Sequence, residues 1–593
     1  MCGIAGILST SPGSAALEPA LVKMQRALHH RGPDDAGLWM NASSSVGLAH
    51  TRLSILDLSP GGHQPMISAD GRQVICFNGE IYNFRELRAD LEQSGVVFKT
   101  ESDTEVLLQL YVRDGESMVE KLRGMFAFCL WDEENQQALL ARDPFGIKPL
   151  YIHAGSGVLA FASELRALTG SGVFQPTLCT EAVQRYFETG TVPEPITLVN
   201  EALMLEAGHS VVWKDGRSRK RTFWRLDFKS SFMGDAVAHA RSALIDSVRH
   251  HFVSDVPVGV FLSGGIDSTA ILALANETGH RGIRSFSIAV DDEAADESPI
   301  ARRTAAHFGS EHHEMRLDAE VARGLFSEFL KHLDQPTIDG LNTFTVSSLA
   351  RQHGMKVVLS GLGGDELFGG YSSFTKIPKM LRLHPVLSRV PGLAAMLQRG
   401  KPQHRRLADF LRSSGTVEDA YAALRGIFSK NEAAALTAWI TGSQIGQIGQ
   451  IGQIGQIGQA GQTIGDAVSE LELTRYMRNQ LLRDSDVMSM AHGLELRVPF
   501  VDRVLCETVA MIPAAERLRG QKALLTDAIH EVPEWVVNQK KRGFLFPYQK
   551  WLGSEWGSAF AEVTAGAPVA MPNWYQKWSV FVLRHCLKSL GLD

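Results

Sequence analysis

The chain has 593 residues, a net charge of −6 and a sequence pI near 6.4. That length implies more than one domain, and 44% apolar with 21% charged residues is an ordinary globular balance. The overall charge gives no sign of a general affinity for nucleic acid or anionic membrane, and no apolar run reaches the roughly 18 residues of a membrane span. The N-terminal apolar run is too short and wrongly flanked for a signal peptide. Six cysteines, Cys2, Cys76, Cys129, Cys179, Cys506 and Cys586, are scattered with no CxxC pair. This argues against a zinc site or disulfide framework and for the reducing cytoplasm.

The chain begins Met1-Cys2-Gly3. Removal of Met1 before a small residue leaves Cys2 at the N-terminus. There its thiol is a nucleophile and its own α-amine, with a pKa of about 7.7–8.0, is a base. Short alternating runs predict strands over Val46–Leu53, Val74–Phe77, Phe126–Trp131 and Ala138–Ala141, with a helix over Glu101–Tyr111. A thiolate attacking an amide needs an oxyanion hole, which the Asn78 amide and the Gly79 N–H are suited to form. For a glutamine substrate, Arg52 suits the α-carboxylate and Asp103 the α-ammonium. Each residue taken singly is more often structural. Asn-Gly after a strand is usually a hairpin turn, and Ser-x-x-Glu at Ser102–Glu105 is usually a capping box.

From about residue 235 the rhythm changes. Val237, Ala240, Leu244 and Val248 share a helical face. Strands are predicted over Val256–Leu262, Ile283–Val290 and Lys356–Ser360, with helices over Thr269–Ala275 and Pro299–Phe308. Alternation of this kind predicts a parallel sheet covered by helices. The boundary between the two halves falls between about 210 and 235. Ser263-Gly264-Gly265-Ile266-Asp267-Ser268 lies between strand and helix, where exposed N–H groups, hydroxyls and a helix N-terminus favour an anion. It is not a Walker A loop. The segment 443–462 carries QIG triplets, whose period of three matches neither helix nor strand. It is expected to be a mobile insert without chemistry.

Several ordered motifs carry a resemblance. His30-Arg31-Gly32-Pro33-Asp34, Phe77-Asn78-Gly79-Glu80-Ile81-Tyr82-Asn83, Gly124-Met125-Phe126-Ala127-Phe128 and the run from Ala141 to Tyr151 resemble the glutaminase domain of class II glutamine amidotransferases. The resemblance implies Cys2 as nucleophile, Asn78 and Gly79 as oxyanion hole, and Arg52, Ile55, Glu80 and Asp103 as further glutamine contacts. The stretch Ser254–Ser268, the loop from Leu359 to Tyr371, Met490–Asp502 and Lys541-Arg542-Gly543-Phe544 look like asparagine-synthetase-type enzymes. That resemblance implies ATP held by Leu262, Ser263, Gly264, Gly265, Asp267, Ser268, Ile288, Ser360 and Gly361. It further implies Mg²⁺ on Asp267 and Asp365, and Lys541 near the reacting phosphorus. The implied fold class is α/β. An N-terminal αββα Ntn-type glutaminase sandwich, residues 1–215, precedes a parallel-sheet ATP-pyrophosphatase-type synthetase domain, residues 230–593.

One position departs from the family pattern. The residue after Ser360-Gly361 is acidic in familiar asparagine synthetases, where it is implicated in forming the aspartyl-adenylate, but here it is Leu362. Either a nearby group such as Glu366 serves instead, or the acceptor carboxylate is not aspartate. The expected activity is amidation of aspartate with ammonia from glutamine, through an acyl-adenylate with release of AMP and pyrophosphate. The alternative is an amidotransferase for another carboxylate in a biosynthetic or envelope-polysaccharide pathway. The expected partners are small molecules, with neither nucleic acid nor membrane, in a cytoplasmic protein. Homodimers are common in the family.

Overall fold

The structure, a computed structural model, describes residues 2–11, 17–293, 295–442, 462–539, 546–553 and 556–593. Lys541 and most of the QIG insert lie outside the described residues. The N-terminal half contains two six-stranded sheets. One runs in the order Leu203–Met204, Tyr151–Gly155, Val158–Ala162, Cys2–Ser9, Val46–Arg52, Asp35–Met40. The other runs Arg217–Thr222, His209–Lys214, Gln137–Arg142, Gly124–Asp132, Gln73–Ile81, Met66–Ile67. Their strand pairs are antiparallel.

Side chains alternate across each strand, which sorts them into layers. Ile4, Leu8, Val46 and Leu48 of the first sheet meet Val74, Cys76, Cys129 and Leu140 of the second in one apolar layer. Ile75, Phe77, Phe126 and Phe128 face outward onto the helices Phe84–Gln93 and Asp103–Asp114. Ala5, Ile7 and Ala49 face the helix Leu17–Ala27 through Leu21 and Met24. The result is helix, sheet, sheet, helix, and the inner strands of both sheets read as near-continuous buried runs because they are covered on both faces.

The C-terminal half is built on a five-stranded parallel sheet in the order Glu311–Leu317, Arg284–Val290, Val258–Phe261, Val357–Leu359, Glu495–Arg497. The order reverses direction beside Val258–Phe261. In such sheets ligands bind outside the carboxyl ends of the strands at that switch point. Both glycine-rich loops leave the sheet there. The expected helix over Thr269–Ala275 is the longer Ile266–Glu277, almost wholly buried, and Pro299–Phe308 is Ser298–Phe308.

Named contacts join the halves. Arg31 pairs with Asp486 at 2.6 Å and Lys148 with the same carboxylate at 3.4 Å. The Arg123 guanidinium grips Asp502 with two bonds of 2.9 Å, and the Leu165 N–H donates to Asp334 at 2.9 Å. All these side chains are buried. Charged groups removed from water are costly unless paired, so the two halves are held in one register.

Candidate active sites

Cys2 opens its strand opposite Arg52 in the register with Val46–Arg52. The Cys2 nitrogen donates to Asn78 Oδ1 at 3.0 Å. Asn78 Nδ2 is buried with no hydrogen-bond partner among the described residues. A buried amide N–H₂ without an acceptor costs free energy, and an oxyanion would satisfy it. Asn78 and Gly79 lie inside the strand Gln73–Ile81 rather than at a turn, so the hairpin alternative is overturned. A Cβ at Gly79 would collide with the Met125 carbonyl of the neighbouring strand, which explains the glycine.

Arg52 is buried, and its fork donates to the carbonyls of Ser59 at 3.2 Å, Leu56 at 3.2 Å and Asp57 at 2.5 Å. It has no carboxylate partner among the described residues, so its charge is uncompensated there. Ile55 is buried against Leu53 and Val357, and its carbonyl accepts from the Asp255 N–H at 3.1 Å. Its side chain thus packs at the junction of the halves. Asp103 begins the helix Asp103–Asp114 and accepts from the Ile81 N–H at 3.1 Å. Ser102 does cap that helix, accepting from Thr104 N–H at 3.2 Å, but Glu105 turns to Lys99 and Thr100 instead of closing a box.

Burial pushes the Asp103 carboxyl up to about 6. Burial and then Glu495 push Glu80 well up. Glu495 moves the other way, to about 2. Burial acts against its charge but is outweighed by neighbouring cations, including Arg497 at 2.5 Å. Arg497 reaches Glu80 at 3.4 Å with Nη2, while its backbone carbonyl accepts from Ser360 N–H at 2.9 Å. One residue therefore touches Glu80 and the second glycine-rich loop.

Two motifs turn out to be braces. Arg31 Nε donates to the Cys2 carbonyl at 3.1 Å while its fork holds Glu164 at 3.0 Å and Asp486. Asp143 accepts from the backbone of Phe145, Ile147 and Lys148, closing the loop that carries Lys148 to the junction.

In the second half, Leu262, Ile288, Ser360 and Gly361 come together at the carboxyl ends of three adjacent strands. Ser263 and Ser268 hydroxyls meet at 3.0 Å, and Ser263 Oγ accepts from Gly265 N–H at 3.2 Å. Asp267 stands in the first turn of Ile266–Glu277. A Cβ at Gly361 or Gly364 would collide with Asp267. Those glycines let the second loop close onto the first, bringing Asp365 beside Asp267.

Lys522 was not anticipated from the sequence. Its ammonium lies 2.5 Å from Asp267 and 2.5 Å from Asp365. Although burial acts to lower it, these two carboxylates raise its pKa. Lys541, expected near the phosphorus, lies outside the described residues. Two carboxylates converging on one cation are also the donor set that Mg²⁺ takes together with phosphate oxygens. The Lys522 ammonium stands where such a charge is wanted, so the residues fit the ion. No group of three or more His, Cys, Asp or Glu is arranged to hold a metal among the described residues. Leu362 packs against the main apolar core. Glu366 is buried, accepts from the Tyr371 hydroxyl at 2.9 Å, and is pushed up to about 8 by burial and by Asp365.

A thiol beside an orphaned amide donor, coupled to a carboxylate-lined crevice at a parallel-sheet switch point, defines a two-site amidotransferase that pairs amide hydrolysis with nucleotide chemistry. The comparisons with known proteins agree. A glutamine amidotransferase domain matches residues 1–224 and an asparagine synthase domain matches 239–578. The chain is 36% identical to asparagine synthetase [glutamine-hydrolyzing] 1 of Bacillus subtilis, over 94% of this chain and 88% of that one. It is 34% identical to a putative asparagine synthetase [glutamine-hydrolyzing] of Mycobacterium tuberculosis, over 96% and 91%. It is also 28% identical to amidase chry2 of Gibberella zeae, over 96% and 92%. The chain belongs to the glutamine-hydrolysing asparagine synthetase family.

Proposed function

We infer that this protein converts aspartate to asparagine at the expense of ATP, using ammonia released from glutamine. The observation that carries the reading is the presence in one chain of the Cys2–Asn78 pair and the Asp267–Asp365–Lys522 cluster. In the first site, Cys2 attacks the glutamine amide after its proton passes to the freed α-amine. Asn78 Nδ2 and the Gly79 N–H receive the oxyanion. Arg52 pairs with the substrate α-carboxylate, and Asp103 and Glu80, once ionised, hold its ammonium. Hydrolysis of the thioester releases glutamate, and ammonia passes between the halves.

In the second site the acceptor carboxylate attacks the α-phosphorus of ATP. An acyl-adenylate forms, pyrophosphate leaves, and ammonia displaces AMP to give the amide. Ser263, Gly264, Gly265 and Ser268 offer donors to the phosphates, while Leu262, Ile288, Ser360 and Gly361 line the adenosine. Asp267 and Asp365 would hold Mg²⁺, which supplies charge neutralisation on the phosphates. We assign to Lys522 the stabilisation of charge on the reacting phosphorus, on the ground of its distance to both aspartates. Glu366 is the acid that remains beside the loop where Leu362 stands.

A second reading keeps the chemistry and changes the acceptor. Leu362 supports it, since an apolar side chain neither accepts a proton nor binds an amine. The test is acceptor-dependent product formation with glutamine, Mg-ATP and aspartate, read by mass spectrometry. Asparagine with one AMP per amide is expected. Glutamate without asparagine or AMP would reassign the acceptor.

A further inference from the structure

The synthetase half carries a surface unlike the rest of the molecule. Between Glu366 and Asp409 there is no Asp or Glu, but there are eight Lys or Arg, in a chain whose net charge is −6. Most of this stretch folds as the helices Ser373–Leu387, Leu393–Gln398 and Pro402–Arg412. Lys376, Lys379, Arg382, Arg389, Arg399 and Lys401 are exposed, and none forms an ion pair among the described residues. By contrast the strand Arg217–Thr222, also without acids of its own, pairs out to Glu116, Glu206 and Glu120.

Among these cations stand exposed large apolar side chains: Leu383, Val386 at 67%, Val390 and Met396 at 63%. The helix Ser373–Leu387 explains the mixture. At 100° per residue, Lys376, Lys379, Arg382, Leu383 and Val386 fall within a 120° arc on one side. The opposite side carries Ile377, Met380 and Leu381, which pack with Phe410, Tyr421 and Leu471. The apolar residues of the outer arc are therefore surplus to the fold. They lie between cations along a surface rather than in a pocket.

We propose that this face is a docking surface for an anionic lipid bilayer, with the helix Ser373–Leu387 lying along the headgroups. Cations interspersed with aliphatic side chains on one helical face are the combination that binds an interface by charge and shallow insertion. Charge complementarity selects an anionic partner and excludes a second copy of the chain, because a two-fold contact would set the same cations against each other. Protruding Leu, Val and Met, with no aromatic side chain on the outer arc, favour lipid over nucleic acid, whose bases are read by stacking and planar polar groups. No described helix is long and apolar enough to cross a membrane, and the contact proposed lies along the surface. Asp365 and Glu366 sit just before this helix, so docking would hold the synthetase crevice close to the bilayer.

The test is sedimentation of the full-length protein with vesicles of phosphatidylcholine alone and of phosphatidylcholine with phosphatidylglycerol. Binding is expected only to the anionic vesicles and is expected to weaken with salt. Each cation near such a surface contributes about fivefold, so K376S/K379S/R382S should lose about 100-fold. L383S/V386S should lose roughly tenfold at unchanged charge. Ammonia-dependent and glutamine-dependent synthesis, measured without vesicles, should be unchanged in both variants, which shows them folded. Equal binding to neutral vesicles, or none to anionic ones, overturns the proposal. So does a folded L383S/V386S that binds like the parent, or tighter binding to a DNA oligonucleotide than to anionic vesicles. The last two outcomes mark a site for a soluble polyanion.

Discussion

The two sites face a similar task, the placing of donors around developing negative charge, and meet it by different construction. The glutaminase site is drawn from positions on paired antiparallel strands. Cys2 lies across from Arg52, and Asn78, Gly79 and Glu80 follow one another along a single strand. The synthetase site is drawn from loops at the ends of parallel strands and from Lys522, 255 positions beyond Asp267. The electrostatics differ as well. The first site buries acids whose pKa values rise and leaves an amide donor unsatisfied. The second sets one lysine between two carboxylates. A strand-built site is fixed by register, whereas a loop-built site depends on a distant side chain, here the buried Lys522, to bring its loops together.

Mutations at the two sites separate them. Cys2→Ala should abolish glutamine-dependent synthesis and leave ammonia-dependent synthesis intact. Loss of both in a folded variant would contradict two separate sites. Lys522→Ala should do the reverse, reducing pyrophosphate release by about 10²–10³-fold, the scale for a preorganised charge-stabilising donor, while glutaminase activity persists. Asn78→Ala should lower kcat for glutamine hydrolysis by a factor on the same scale, about 10²-fold or more, with the KM for glutamine little changed. Arg497→Met sharpens the comparison because this residue serves both halves. It leaves Glu80 and Glu495 buried without their partner, a loss of about 3–5 kcal/mol. A lowered Tm is expected, together with glutamate formed in excess of product.

The smallest effect concerns pH. Asp103 has a folded pKa near 6 against an ordinary value of 3.8, with burial the main cause. The native state therefore holds the extra proton between those values, and this group's contribution to stability is lost as pH rises through about 6. Ammonium binding runs the opposite way, since it needs the carboxylate. The KM for glutamine should rise as pH falls through about 6, and Asp103→Asn should flatten that dependence while raising KM throughout.

The same contrast governs how much was legible beforehand. Asn78 and Gly79 could be picked out because a strand holds consecutive residues in fixed geometry, and Cys2 stands out by its position. The predicted strands Val46–Leu53 and Val74–Phe77 appear as Val46–Arg52 and the longer Gln73–Ile81. The extension matters, since it carries Asn78 into the sheet and out of the expected turn. Lys522 had no such signal. It stands in Gln521-Lys522-Ala523-Leu524-Leu525, and nothing local says that its ammonium crosses to two aspartates. Likewise the overall charge of −6 pointed away from anionic surfaces, because a sum over the chain conceals where the charges lie.

The sequence by itself determined the two-domain α/β architecture and the glycine-rich loops, and singled out Cys2, because hydrophobic period, turn chemistry and short motifs act over a few residues. Only the tertiary structure decided which groups share a site. It set Arg497 between Glu80 and the second glycine-rich loop, Lys522 between the two aspartates, and Lys376, Lys379 and Arg382 on the side of their helix turned away from the core. Those relations depend on long-range packing, in which the low dielectric of a buried junction makes each unpaired charge costly and so selects its partner.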